Sequence, residues 1–225
     1  MTPSSALPPQ GKLRTELATE IVRVCHRLYE RGLIAGTEGN VSARLSANVI
    51  LATTAGRCKG EIDESHIVAL TLDGHPIEPT RIPSTEIRMH LALYEQRPDV
   101  AAVVHAHPAA ATGFAVAGLD FMAPVLPELL VLTGPVPLVP YGQPGTADLP
   151  ARIVPFARDH DAFLLANHGA TTVGRSLDEA LHRMESLEQA ARIILAARQL
   201  GRVNELPPGS AAALRDQRAV SRGAR

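Results

Sequence analysis

Apolar positions along the chain fall into alternating helical and extended stretches. Leu13, Leu17, Ile21, Val24, Cys25 and Leu28 recur every three or four residues and predict an amphipathic helix ending near Gly32. Gly36-Thr-Glu-Gly-Asn-Val-Ser-Ala-Arg44 then reads as a glycine-punctuated turn entering an extended segment. Residues 49–53 and 67–72 are short β-branched runs, hence strands, the second closed by an Asp73-Gly74 turn. Pro83-Ser-Thr-Glu-Ile-Arg-Met-His90 opens a helix with Ser84 as its expected N-cap and Ile87, Leu91 and Tyr94 on one face. A buried strand follows over 100–107, stopped by Pro108, and then an alanine-rich helix to about Gly118.

Residues 134–145 hold four Pro and three Gly, yet Val136, Leu138 and Val139 predict a strand between turns rather than a linker. A helix over 147–159, a strand over 162–166 and a long helix over 177–200 complete the pattern. From Gly201 onward five Arg face two acids, and Pro207-Pro208-Gly209 is expected to break any helix. The chain thus divides into a flexible N-terminus (1–12), one α/β domain (13–200) and a basic C-terminal tail (201–225).

At 225 residues the domain can bury roughly 70% of its unfolded surface. With 45% hydrophobic and 20% charged residues it reads as soluble and globular, not disordered. Lys+Arg total 22 against 23 Asp+Glu, a formal charge of −1, which argues against a nucleic-acid surface or a polybasic membrane patch. The absence of Trp weakens any base-stacking platform. Cys25 and Cys58 are too few for a disulfide scaffold and lack metal-ligand spacing. No signal-peptide pattern opens the chain, and its most apolar stretch carries His105, His107 and Pro108, so a cytoplasmic location is expected.

The sharpest chemical signal is His105-Ala-His107 at the end of the buried strand. Residues two apart on a strand share a face, so both imidazoles can reach one metal, or both are hydrogen-bonded core histidines. His168, in Asn-His-Gly at another strand end, is a candidate third ligand. Glu86 is either a helix-start carboxylate or a general base beside a Lewis acid. Gly39-Asn40, Gly56 and Ser84-Thr85 can offer backbone N–H groups to an anion, although none forms a P-loop. His26, His66, His75, His160 and His182 read as surface or capping residues. His90 reads as helix packing or support for Glu86.

Together, Gly-Thr-Glu-Gly-Asn-Val-Ser, Pro-Ser-Thr-Glu, Val-Val-His-Ala-His-Pro and Ala-Asn-His-Gly-Ala resemble the class II aldolase/adducin family over roughly residues 13–200. That resemblance implies a three-layer α/β/α fold around a mixed, mostly antiparallel sheet, commonly as a homotetramer. It also implies Zn²⁺, or another divalent metal, on His105, His107 and His168. Glu86 would be both a ligand of the resting metal and the acid/base. Gly39, Asn40, Gly56, Ser84 and Thr85 would cradle a sugar-phosphate substrate.

The expected reaction is cleavage of a ketose 1-phosphate to dihydroxyacetone phosphate and an aldehyde through a Zn-stabilised enediolate. Epimerase, dehydratase or decarboxylase chemistry is the alternative, and an adducin-like binding domain a further one. Two departures stand out. Ala55-Gly56 replaces Thr-Gly at the phosphate turn, leaving Arg57 or Lys59 to supply charge. Leu126-Pro-Glu128 stands where the fuculose-phosphate enzymes supply a tyrosine, so Glu128 is either an auxiliary acid or a helix-start carboxylate. The Leu-Pro-Glu pattern looks more like members acting on 5-deoxy- or 5-methylthio-pentulose 1-phosphates.

Overall fold

The computed structural model describes residues 10–223. In chain order the elements are α1 (Gln10–Glu30), β1 (Asn40–Ser46), β2 (Val49–Thr53), β3 (Ile67–Thr71), α2 (Ile87–Gln96), β4 (Ala102–Ala106) and α3 (Ala109–Val116). They continue with α4 (Pro127–Leu132), β5 (Leu138–Val139), α5 (Asp148–Ala157), β6 (Ala162–Leu165), β7 (Gly169–Gly174), α6 (Leu177–Gln199) and α7 (Pro208–Gly223). The strands form one sheet in the order β3-β2-β1-β4-β7-β6-β5. Every pairing is antiparallel except β5 with β6, so the sheet is mixed and mostly antiparallel.

Strand alternation splits the core into the two faces of a three-layer α/β/α fold. On β4, Ala102, Val104 and Ala106 pack with the apolar sides of α1, α3 and α6, where Ile21, Val24, Cys25 and Leu28 form the buried stripe of α1. Val103 packs the other way, with Met89 and Leu93 of α2 and Ile153 of α5. His105 therefore faces the α2 layer. Fully burying a Val, Leu or Ile contributes about 1.5–3 kcal/mol, so these two clusters are what fixes each strand's facing.

Helix α2 lays a polar seam on β1. Glu86, His90 and Tyr94 are one turn apart, and Asn40 and Ser42 are two apart on the facing strand. Asn40 Nδ2 donates to Glu86 Oε2 (2.7 Å), and Ser42 Oγ lies 2.7 Å from His90 Nδ1 and 2.9 Å from the Tyr94 hydroxyl. Burial pushes the His90 pKa down to about 4, so it sits there neutral.

Three expectations change. Helix α2 begins at Ile87 with Glu86, not Ser84, at its N-cap, because Ser84 O accepts from Ile87 N in a preceding turn. The first helix starts at Gln10, so residues 10–12 belong to it; the flexible reading of residues 1–9 lies outside the described residues. The segment expected to be a helix-breaking basic tail instead carries α7, which Pro208 starts rather than blocks, since a first-turn Pro needs no N–H partner. Arg218 of α7 is buried, donates to Thr133 O, and joins Arg97 and Arg183 around the buried Asp161 carboxylate.

Candidate metal centre

The Asn-His-Gly turn brings β6 and β7 to the end of β4. Asn167 takes a left-handed backbone (φ 56°), which Asn tolerates better than most residues, and the chain reverses through His168 N to Leu165 O (3.0 Å). Gly169 follows because no side chain fits there. A Cβ at that position would sit 2.5 Å from His107 Cδ2 and 2.7 Å from Ala106 O. Gly39 has a similar reason on the other flank: its φ is +69°, and a Cβ would meet His105 O at 2.8 Å.

These turns gather His105, His107 and His168, with ring centroids 4.7–5.1 Å apart and one nitrogen of each within 4.8 Å of the others. His105 Nδ1 donates to Ala170 O (2.9 Å), which leaves Nε2 as a lone pair facing His107 Nε2 at 3.1 Å. Burial pushes the His105 pKa down to about 3, so it is a neutral imidazole. Two nitrogens sharing one tetrahedral Zn²⁺ lie about 3.3 Å apart, so the donor set fits a divalent ion.

Glu86 completes the cluster. It stands at the N-cap of α2, but its side chain makes no cap hydrogen bond and turns to the imidazoles instead. Oε1 lies 2.9 Å from His168 Nε2, without hydrogen-bonding alignment, and Oε2 lies 3.4 Å from His105 Nε2. Burial works to raise its pKa, but His105, His168 and the Asn40 amide outweigh that and hold the carboxyl well below the usual range. Glu86 is therefore ionised at neutral pH.

A cleft opens beside this cluster, lined by Gly39, Asn40, Gly56, Ser84 and Thr85 and also by Thr37, Glu38, Thr54 and Lys59. Two of the expected anion donors are already engaged. Ser84 N donates to Thr53 O (3.2 Å) while its hydroxyl accepts from Glu86 N (3.4 Å) and keeps its own O–H to donate, and the Asn40 amide holds Glu86. Glu128 is exposed in the first turn of α4 and does not line the cleft. Of the two candidate cations, Arg57 is exposed outside it and Lys59 is buried within it. Glu38 was not foreseen: its carboxylate lies 3.5 Å from His107 Nδ1, and the only sequence signal is its place in the Gly-Thr-Glu-Gly turn. His26, His66 and His160 bond loop or capping groups, and His75 and His182 are exposed.

Residues 19–195 match the Class II Aldolase and Adducin N-terminal domain family. The chain belongs to that family. A 3-oxo-tetronate 4-phosphate decarboxylase of Escherichia coli O6:H1 is 38% identical over 188 residues, covering 82% of this chain and 88% of the relative. An L-fuculose phosphate aldolase of the same organism is 33% identical over 184 residues, covering 81% and 84%. The crystal structure of YgbL from Escherichia coli superposes with a TM-score of 0.84 at 35% identity, covering 90% of this chain and 99% of that one. The relatives are thus class II aldolase superfamily enzymes of differing reactions. No helix among the described residues is long and apolar enough to cross a membrane.

Proposed function

We propose that the chain is a divalent-metal-dependent carbon–carbon lyase that decarboxylates a small 3-oxo sugar acid phosphorylated at its far end. The observation that carries this reading is one ionised carboxylate, Glu86, set against three imidazoles in a cleft that, among the described residues, no tyrosine lines. Tyr94 is buried between α2 and β1, while Tyr29 and Tyr141 are exposed. Loss of CO₂ from a 3-oxo acid breaks one C–C bond and moves its electron pair onto the ketone oxygen as an enolate. One carbon then remains to be protonated. One net proton comes from solvent: Glu86, steadied by Asn40, can hold a water that gives its proton to that carbon, the hydroxide left behind combining with the released CO₂ as bicarbonate. Aldol cleavage asks for more, since the hydroxyl on the broken bond must also lose its proton.

His105, His107 and His168 would hold the metal, with Glu86 adjoining; when bound, a divalent ion supplies a Lewis acid for charge at the ketone oxygen. The Ser84 and Thr85 hydroxyls and the Gly39 and Gly56 turns would receive the phosphate. Similarity to the decarboxylase supports this reaction. Similarity to the fuculose phosphate aldolase keeps ketose 1-phosphate cleavage as the second reading. Zn²⁺-loaded protein is to be given 3-oxo-tetronate 4-phosphate and, separately, ketose 1-phosphates. CO₂ release from the first is expected. Dihydroxyacetone phosphate release without any CO₂ would replace decarboxylation with the aldolase reading.

A further inference from the structure

Lys59 is 2% exposed and lines the cleft beside Gly56, Ser84 and Thr85. Its Nζ donates to two loop carbonyls, Thr37 O at 3.0 Å and Arg57 O at 2.7 Å. An ammonium has three donors, so one N–H remains. No described carboxylate forms an ion pair with it, and Glu86, committed to the imidazoles, is the carboxylate whose field reaches it. Burying an ammonium against neutral partners alone is unfavourable, and burial lowers its pKa accordingly. The charge is held where a ligand can balance it.

We infer that Lys59 is the fixed positive charge of the phosphate subsite, with the substrate's phosphate monoester as its counter-ion. This rests on the phosphate end of the proposed reading. Three features favour phosphate over a planar carboxylate. Donors converge from three separate chain segments, around residues 37–40, 54–59 and 84–85, which suits a tetrahedral group of oxygens. Ala55 brings no hydroxyl, so a donor from elsewhere is needed. Lys59 also ties two of those segments together, because its side chain bonds Thr37 O and its backbone N reaches Gly36 O (3.4 Å). The same residue shapes the subsite and charges it.

Inorganic phosphate is the probe, titrated calorimetrically into wild-type, Lys59→Gln, Lys59→Arg and Ser84→Ala proteins, with thermal melts to verify folding. Gln keeps a neutral donor to the loop carbonyls and removes the charge; Lys59→Met replaces it if the Gln variant does not fold. Phosphate affinity should fall about ten- to a hundredfold in Lys59→Gln and stay within a few fold in Lys59→Arg. If Ser84→Ala weakens phosphate but Lys59→Gln and Lys59→Met do not, the subsite stands and Lys59 is not its charge. If wild-type protein binds no phosphate, the subsite itself falls. Acetate binding as tightly as phosphate, with the same dependence on Lys59, would overturn the phosphate assignment.

Discussion

Gly169→Ala should loosen the candidate metal centre without replacing any of its imidazoles. The backbone at Gly169 is ordinary, so the added methyl brings no conformational penalty of its own. Its cost is contact: the Cβ would lie 2.5 Å from His107 Cδ2 and 2.7 Å from Ala106 O. The imidazole can rotate away, but the carbonyl belongs to β4 and cannot move without dragging the strand. Overpacking of this kind costs about 1–3 kcal/mol. For a domain of this size each kcal/mol lowers Tm by about 2–4 °C, giving a loss of roughly 2–12 °C. Disturbing the orientation of a ligand typically weakens metal binding about 10–100-fold. Competition for Zn²⁺ against a chromophoric chelator measures that loss, and calorimetry measures Tm. Gly56→Ala is the control: its φ is +68° with no atom within 4 Å, so it pays about 1–2 kcal/mol of backbone strain and leaves the imidazoles alone. Wild-type Zn²⁺ affinity in Gly169→Ala would refute the contact argument.

Glu86→Gln should keep the fold and the cluster of three imidazoles while lowering turnover about 10²–10⁴-fold, as loss of a positioned acid/base does. Turnover near wild type in steady-state assays would remove Glu86 from proton transfer. In the buried charge cluster, Asp161→Ala should cost about 3–5 kcal/mol because Arg97, Arg183 and Arg218 lose the buried carboxylate they share, although Arg97 keeps Asp99 and Arg183 keeps Glu179. Arg218→Ala should cost less, since Arg97 and Arg183 still reach the carboxylate. Equal losses in urea unfolding would contradict that asymmetry.

Much of the site was legible because its ligands obey local rules. The two-residue strand period puts His105 and His107 on one face, and Asn-His-Gly encodes both a left-handed turn and the clearance His107 needs. The carboxylate choice at Glu86 was not legible from spacing alone, because the groups its side chain turns to, Asn40, His105 and His168, come from distant parts of the chain. Strand β7 escaped notice for a related reason. Gly-Ala-Thr-Thr-Val-Gly is buried on both faces, so it shows neither polar alternation nor a strong apolar run. Helix α7 was hidden by its own starting signal, a proline pair that reads as a stop. Lys59 was named as one of two candidate cations, and burial alone separates it from Arg57.

The pairing of β4 with β7 also bears on how the chain acquires its fold. It joins β3-β2-β1-β4, itself closed over a similar distance by the pairing of Asn40 with His105, to the locally assembled β7-β6-β5. His105 and Thr171 face each other across that join from 66 residues apart. Closing so long a loop carries an entropic cost that is recovered only when the whole seam zips. A nascent chain that has exposed β4 but not β7 holds His105 and His107 without Ala170 O to fix the tautomer and without His168. Full capture of a metal ion would therefore follow the joining of the two halves, and a bound ion would then act as a rivet across a long-range seam of the sheet.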